Sequence, residues 1–74
     1  MDLFIEIHER IKDLDMQLSV ATIETYKEKD IVDPDGTTHL CILYIINNGL
    51  RFEEEFDNAS DREAKMDLLE EYFV

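Results

Sequence analysis

Residues 53–74 carry nine acids and only two bases, a local net charge of -7. The whole chain carries -12 over 74 residues. A fold for this sequence must keep those carboxylates at its surface and still close a core against their mutual repulsion. Length makes that harder. A chain of 74 residues forms one domain, 1–74, that buries roughly 60% of its unfolded surface. Its net stability is then on the order of 3–5 kcal/mol. Yet 45% of its residues are apolar, including four Phe and three Tyr. A disordered acidic tail has few such residues, so the pattern describes a folded domain with an acidic exterior.

Charge also bounds the partners. A sequence pI near 4.2 disfavours direct contact with nucleic acid or an anionic membrane and favours a basic protein. One cysteine, Cys41, excludes an intramolecular disulfide and suits a cytoplasmic setting. The N-terminal residues lack the basic and apolar regions of a signal peptide. The longest apolar run, Leu40 to Ile46, falls far short of the ~20 residues that span a bilayer.

The N-terminal pattern predicts a helix over 3–14, with Asp2 as N-cap. Leu3, Phe4, Ile7, Ile11 and Leu14 share one side of a helical wheel, and Glu6 and Arg10 form an i,i+4 pair on the other. From Met16 to Lys27, β-branched residues and Tyr26 predict a strand whose imperfect alternation implies a bulge or burial on both faces. Asp33-Pro34-Asp35-Gly36 is a turn signal. Thr38–Ile46 predicts a central strand apolar on both faces. Asn48-Gly49 predicts a two-residue type I′ hairpin. Leu50–Phe56 alternates, with Leu50, Phe52 and Phe56 inward and Glu54 breaking that face. Ser60-Asp61-Arg62-Glu63 reads as a capping box for a last helix to Phe73, with Ala64, Leu68, Leu69, Tyr72 and Phe73 as its apolar side. The expected class is α+β: a three-stranded antiparallel sheet flanked by two helices, in the order α-β-β-β-α.

On the last helix, Glu63, Asp67, Glu70 and Glu71 fall on one side at i,i+3 and i,i+4 spacing, with only Asp61–Lys65 to compensate them. Glu70 and Glu71 also stand at the negative end of the helix dipole. Glu53 and Glu55 point outward from the preceding strand and extend this side into an expected partner-binding ridge. Carboxylates about 5–6 Å apart along a helix are similar in spacing to successive nucleic-acid phosphates, which rise 3.4 Å each. A groove lined with Lys and Arg would attract such a ridge. A solubilising acidic face is the plain alternative.

Other chemistry finds little support. His39 and Cys41 share a strand face, but a structural zinc site needs four ligands and no companion pair is present. Asp33-x-Asp35-Gly36 lacks the glutamate that a calcium loop needs at its twelfth position, where Tyr44 stands. No glycine-rich phosphate loop, nucleophile with a neighbouring base, or enclosed carboxylate pair is visible, so no catalytic residue, metal or cofactor is expected, and the chain does not read as an enzyme. Tyr72, Phe73 and Val74 close the core or serve as an anchor.

Short length, strong acidity, the expected element order, and carboxylates gathered at the last strand and helix together resemble small phage-encoded inhibitors that imitate DNA, such as the nuclease-blocking anti-CRISPR proteins. The resemblance is architectural and electrostatic, without a shared motif. It implies a stoichiometric inhibitor seated in the basic groove of a host nuclease or nucleic-acid-binding protein, acting in the host cytoplasm. Double-stranded-RNA-binding domains share the expected order but place bases where this chain has Asp61 and Glu63. The runner-up is a small interaction module that forms a homodimer through an apolar sheet face. A domain that holds a small ligand between helix and sheet is a third reading.

Overall fold

The computed structural model describes residues 3–73. It contains five strands and one α-helix: β1 Phe4–Glu9, β2 Leu14–Ser19, β3 Ile23–Val32, β4 Thr38–Ile46, β5 Arg51–Phe56 and α1 Ala59–Tyr72. A 3-10 turn, Val20–Thr22, joins β2 to β3. All pairings are antiparallel and the sheet order is β2-β1-β5-β4-β3. This corrects the expected α-β-β-β-α order. The N-terminal helix does not form; residues 3–14 lie mainly in the β1–β2 hairpin, and the proposed cap Asp2 lies outside the described residues. The reason is visible in burial. Ile5, Ile7 and Glu9 are buried while Phe4, Glu6 and His8 are exposed, a period of two. A charged residue on the buried side disguises that alternation. The pair expected of Glu6 and Arg10 is replaced by Gln17 donating to Glu6 across the hairpin at 3.3 Å.

The expected strand from Met16 to Lys27 is two strands. The 3-10 turn divides it, and a register shift between Ile23 and Thr25 adds the irregularity that the sequence pattern implied. That short connection shapes the whole sheet. Ser19 and Ile23 can stand at most about 14 Å apart, yet β2 and β3 are opposite edges of a sheet that would be about 19 Å wide if flat. The sheet must therefore curl until its edges approach at that end. Its inner side gathers Ile5, Ile7, Leu18, Ile23, Ile42, Tyr44, Ile46 and Phe52 around Leu69 of α1.

The two glycine turns are made alike. Gly36 N–H donates to Asp33 O and Asp33 N–H to Thr37 O, both at 2.9 Å; Gly49 N–H donates to Ile46 O at 2.8 Å and Ile46 N–H to Leu50 O at 2.9 Å. Only the glycines are left-handed, with φ 90 at Gly36 and 88 at Gly49, and Asn48 is not. The β4–β5 connection is thus a three-residue loop ending in a left-handed glycine, not the expected type I′ turn. β4 occupies the expected residues, but β5 is the middle strand. Leu50 precedes β5 and is exposed.

The N-cap of α1 is Asn58, two residues before the expected cap Ser60. Asn58 Oδ1 accepts the Asp61 N–H at 2.9 Å, and Asn58 Nδ2 reaches Asp61 Oδ2 at 3.3 Å. Ser60 lies inside the first turn. Asn58→Ala should therefore cost about 1 kcal/mol, or roughly 4–8 °C in Tm. Ser60→Ala should leave thermal denaturation nearly unchanged; the reverse ranking would return the cap to Ser60.

Candidate protein-binding surface

Helical periodicity and two ion pairs decide which side of α1 faces outward. Leu69 is fully buried, and Arg62, Lys65, Met66 and Tyr72 are half-buried on the same stripe. This corrects the expected apolar side: Ala64 and Leu68 are exposed, while the helix's two bases turn inward. Arg62 pairs with Asp30 and, at 3.8 Å, with Glu28 on β3. Lys65 Nζ lies 3.1 Å from Glu54 Oε2 and donates to the Glu6 carbonyl at 3.0 Å. The expected Asp61–Lys65 pair is thereby given up for partners on the sheet. Lys65 also occupies the side of β1 that β5 leaves unpaired, since those strands share one rung, Glu9↔Glu54.

The exposed side of α1 then carries acids and no base, with Ala64 and Leu68 among them. Asp61, Glu63, Asp67, Glu70 and Glu71 are all exposed. Among the described residues, Glu63, Asp67, Glu70 and Glu71 have no ion-pair partner, and the last turn of α1 holds no base. Four of the six expected ridge residues stand together in this way.

Glu53 and Glu55 do not join them. They are the register partners of Leu43 and Cys41, whereas Ile42, Tyr44 and Phe52 face α1. Both glutamates therefore lie on the opposite side of the sheet. Glu53 is buried there and pairs with Lys29 at 3.3 Å; Glu55 accepts from His39 at 2.5 Å. Strand alternation sets Glu53 and Glu55 on the side opposite Phe52, but Glu53 is buried there and not exposed, and the pattern does not tell which side of the sheet the helix covers.

That opposite side is not a bare apolar face. Cys41 and Leu43 are 0% and 4% exposed within a single copy. Lys29 on β3 reaches Glu53 on β5 diagonally across β4, between these two residues, and the aliphatic stem of the lysine contributes cover. Burial pushes the Cys41 thiol above its ordinary pKa, away from the reactive thiolate. Tyr72 is half-buried against the core, whereas Phe73 is 39% exposed and packs on Tyr26, ring centroids 5.2 Å apart. Val74 lies outside the described residues.

Three carboxylates are buried among the described residues: Glu9, Glu53 and Glu54. Glu54 Oε1 accepts the Tyr44 hydroxyl at 2.7 Å, and burial together with the Glu54 charge pushes that phenol's pKa far up. Each has a partner of its own: the Glu53 and Lys12 amides for Glu9, Lys29 for Glu53, and Lys65 with Tyr44 for Glu54. Among the described residues no cluster of His, Cys, Asp and Glu has the arrangement of a metal site, and no helix is long and apolar enough to cross a membrane. No protein-family model matches the chain, and neither a curated protein nor a solved structure matches it.

Proposed function

We propose that this chain is an acidic protein-binding domain whose α1 outer side, centred on Glu63, Asp67, Glu70 and Glu71, docks in a Lys- and Arg-lined groove of a basic protein. A groove that ordinarily holds nucleic acid fits best, which makes the chain a DNA-mimicking inhibitor. One observation carries the reading. Both bases of α1 are turned inward and consumed by the sheet, so five outward carboxylates stand without a neutralising neighbour on their own helix. Like-charge neighbours at i,i+3 and i,i+4 cost about 0.2–0.5 kcal/mol each, a burden that a basic partner relieves. The observed fold removes the architectural part of the resemblance to nuclease-blocking phage inhibitors, and the proposal rests on charge alone. The homodimer alternative loses support at β4, because Cys41 and Leu43 on the outer sheet face are already covered, although Phe4 on that face is exposed.

The test is capture of basic proteins on the immobilised chain with release by a salt gradient and by duplex DNA. Asp67→Lys with Glu70→Lys should slow association by roughly tenfold or more and leave the fold intact or slightly stabilised. Glu55→Gln, on the other side of the sheet, should leave capture unchanged. If the doubly reversed variant retains the same proteins at the same salt, α1 is not the binding surface.

A further inference from the structure

Both histidines of this chain are held in the same unusual way. His8 places Nδ1 at 2.7 Å from Asp15 Oδ1 and Nε2 at 2.7 Å from Asp13 Oδ1. His39 places Nδ1 at 2.5 Å from Glu55 Oε2 and Nε2 at 2.6 Å from Asp33 Oδ2. A neutral imidazole has one N–H, so it can donate to only one of two flanking carboxylates. Its other nitrogen would then set a lone pair against an anionic oxygen. Only the imidazolium, with two N–H donors, satisfies both contacts.

We infer that His8 and His39 are protonated clasps, each tying an aspartate at a hairpin turn to a second carboxylate, and that together they make the turns of this sheet open as pH rises. Asp13 is the left-handed residue of the β1–β2 turn, φ 52, and Asp33 begins the β3–β4 turn. The His39 clasp spans three elements, fastening the turn through β4 to β5. Carboxylates outnumber bases around both rings. His8 faces Asp13 and Asp15, with Glu6 and Arg10 next along its own face and Glu55 one rung beyond the last β1–β5 pair. His39 faces Asp33 and Glu55, with Asp35 in the turn and Lys29 on β3 opposite the neighbouring Cys41. α1 lies on the other side of the sheet and contributes no charge to either site.

Both imidazoles are raised above their ordinary value of 6.5: His8 by its bonds to Asp15 and then Asp13, His39 by its bonds to Glu55 and then Asp33. A raised folded-state value contributes stability that is complete below about 6.5 and is lost as pH climbs through the folded-state value. Two bound protons also lower the formal charge of -12 that the fold must otherwise contain. Loss of either proton leaves a pair of carboxylates facing an uncharged ring, and the turn opens.

Nitrogen-15 and proton NMR of the full chain tests this. At pH 6 both rings should show two protonated nitrogens, with titration midpoints above 6.5. The amides of Asp33 and Gly36, corrected for intrinsic exchange, should open more readily by up to about tenfold per pH unit through the His39 midpoint. His39→Gln should abolish that dependence at the β3–β4 turn and leave the His8 titration in place. A single neutral tautomer at pH 6, a midpoint at or below 6.5 for either ring, or turn exchange in His39→Gln that still follows the parent's pH dependence would overturn the inference.

Discussion

Lys65→Met should leave the protein largely unfolded at 25 °C, as read by far-UV circular dichroism and denaturant titration. Lys65 and Glu54 form an ion pair whose side chains are 16% and 10% exposed, so it lacks the screening that makes surface pairs weak. Removing one partner of a buried pair strands the other and costs about 3–5 kcal/mol. That is the whole stability expected of a domain this size. The lysine also donates to the Glu6 carbonyl on the unpaired side of β1, so the substitution exposes a backbone acceptor as well. Glu54→Gln in the same chain should rescue the fold to within about 1–2 kcal/mol of the parent. The amide removes the stranded charge and still accepts the Tyr44 hydroxyl. A Lys65→Met protein within about 1 kcal/mol of the parent would mean that the pair is solvated like any surface contact.

The same residues explain what the sequence made legible. Local chemistry was readable. Asp33-Gly36 and Asn48-Gly49 do bound β4, β4 spans the expected Thr38–Ile46, and the chain does end in a helix. The N-terminal strand and the inner side of α1 are disguised in the sequence because a charged side chain faces inward in each. Glu9 on the buried face of β1 broke an alternation that Ile5 and Ile7 otherwise show, and the competing helical spacing of Leu3, Ile7, Ile11 and Leu14 then looked better. Arg62 and Lys65 sit on the buried stripe of α1, so Ala64 and Leu68 were taken for the apolar side. In each case the stabilising partner is distant along the chain: Glu53 for Glu9, Asp30 for Arg62, the Glu6 carbonyl for Lys65. A hydrophobic pattern carries no record of partners that far away.

The binding surface was legible to the same degree and for the same reason. Glu63, Asp67, Glu70 and Glu71 follow from helical period alone. Uniting them with Glu53 and Glu55 required the position of the helix relative to the sheet, which depends on the curl imposed by the three-residue link from β2 to β3. The clasps of His8 and His39 had no signal at all. Each depends on acids brought together by a turn or by a cross-strand register.

Glu9→Ala should cost about 2–4 kcal/mol and detach the β1–β2 hairpin before the rest of the sheet melts. Glu9 is 1% exposed and does the work of missing ladder bonds at the β1–β5 seam. Oε2 accepts the Glu53 N–H and Oε1 the Lys12 N–H, each at 2.8 Å. Beside them, Arg10 N–H donates to Glu53 O, also at 2.8 Å, next to the single Glu9↔Glu54 rung. Truncation leaves these amide donors without acceptors, at about 1–3 kcal/mol for each that stays buried. Glu9→Gln keeps one acceptor oxygen and should fall about midway. The pH response separates the charge from the geometry. Burial alone would raise the Glu9 pKa, but the amides of Glu53, Lys12 and Ile11 outweigh it and hold the acid below its ordinary value of 4.5. A lowered folded-state value gives stability that is present above about 4.5 and disappears as pH falls through the folded-state value. Glu9→Gln should therefore lose part of the parent's acid sensitivity in that window while remaining weaker at pH 7. Hydrogen exchange gives the spatial readout: amides of β1 and β2 should lose protection in Glu9→Ala while those of β4 keep theirs. Equal loss in both would show that burial of Ile5 and Ile7, and not this carboxylate, joins the hairpin to the sheet.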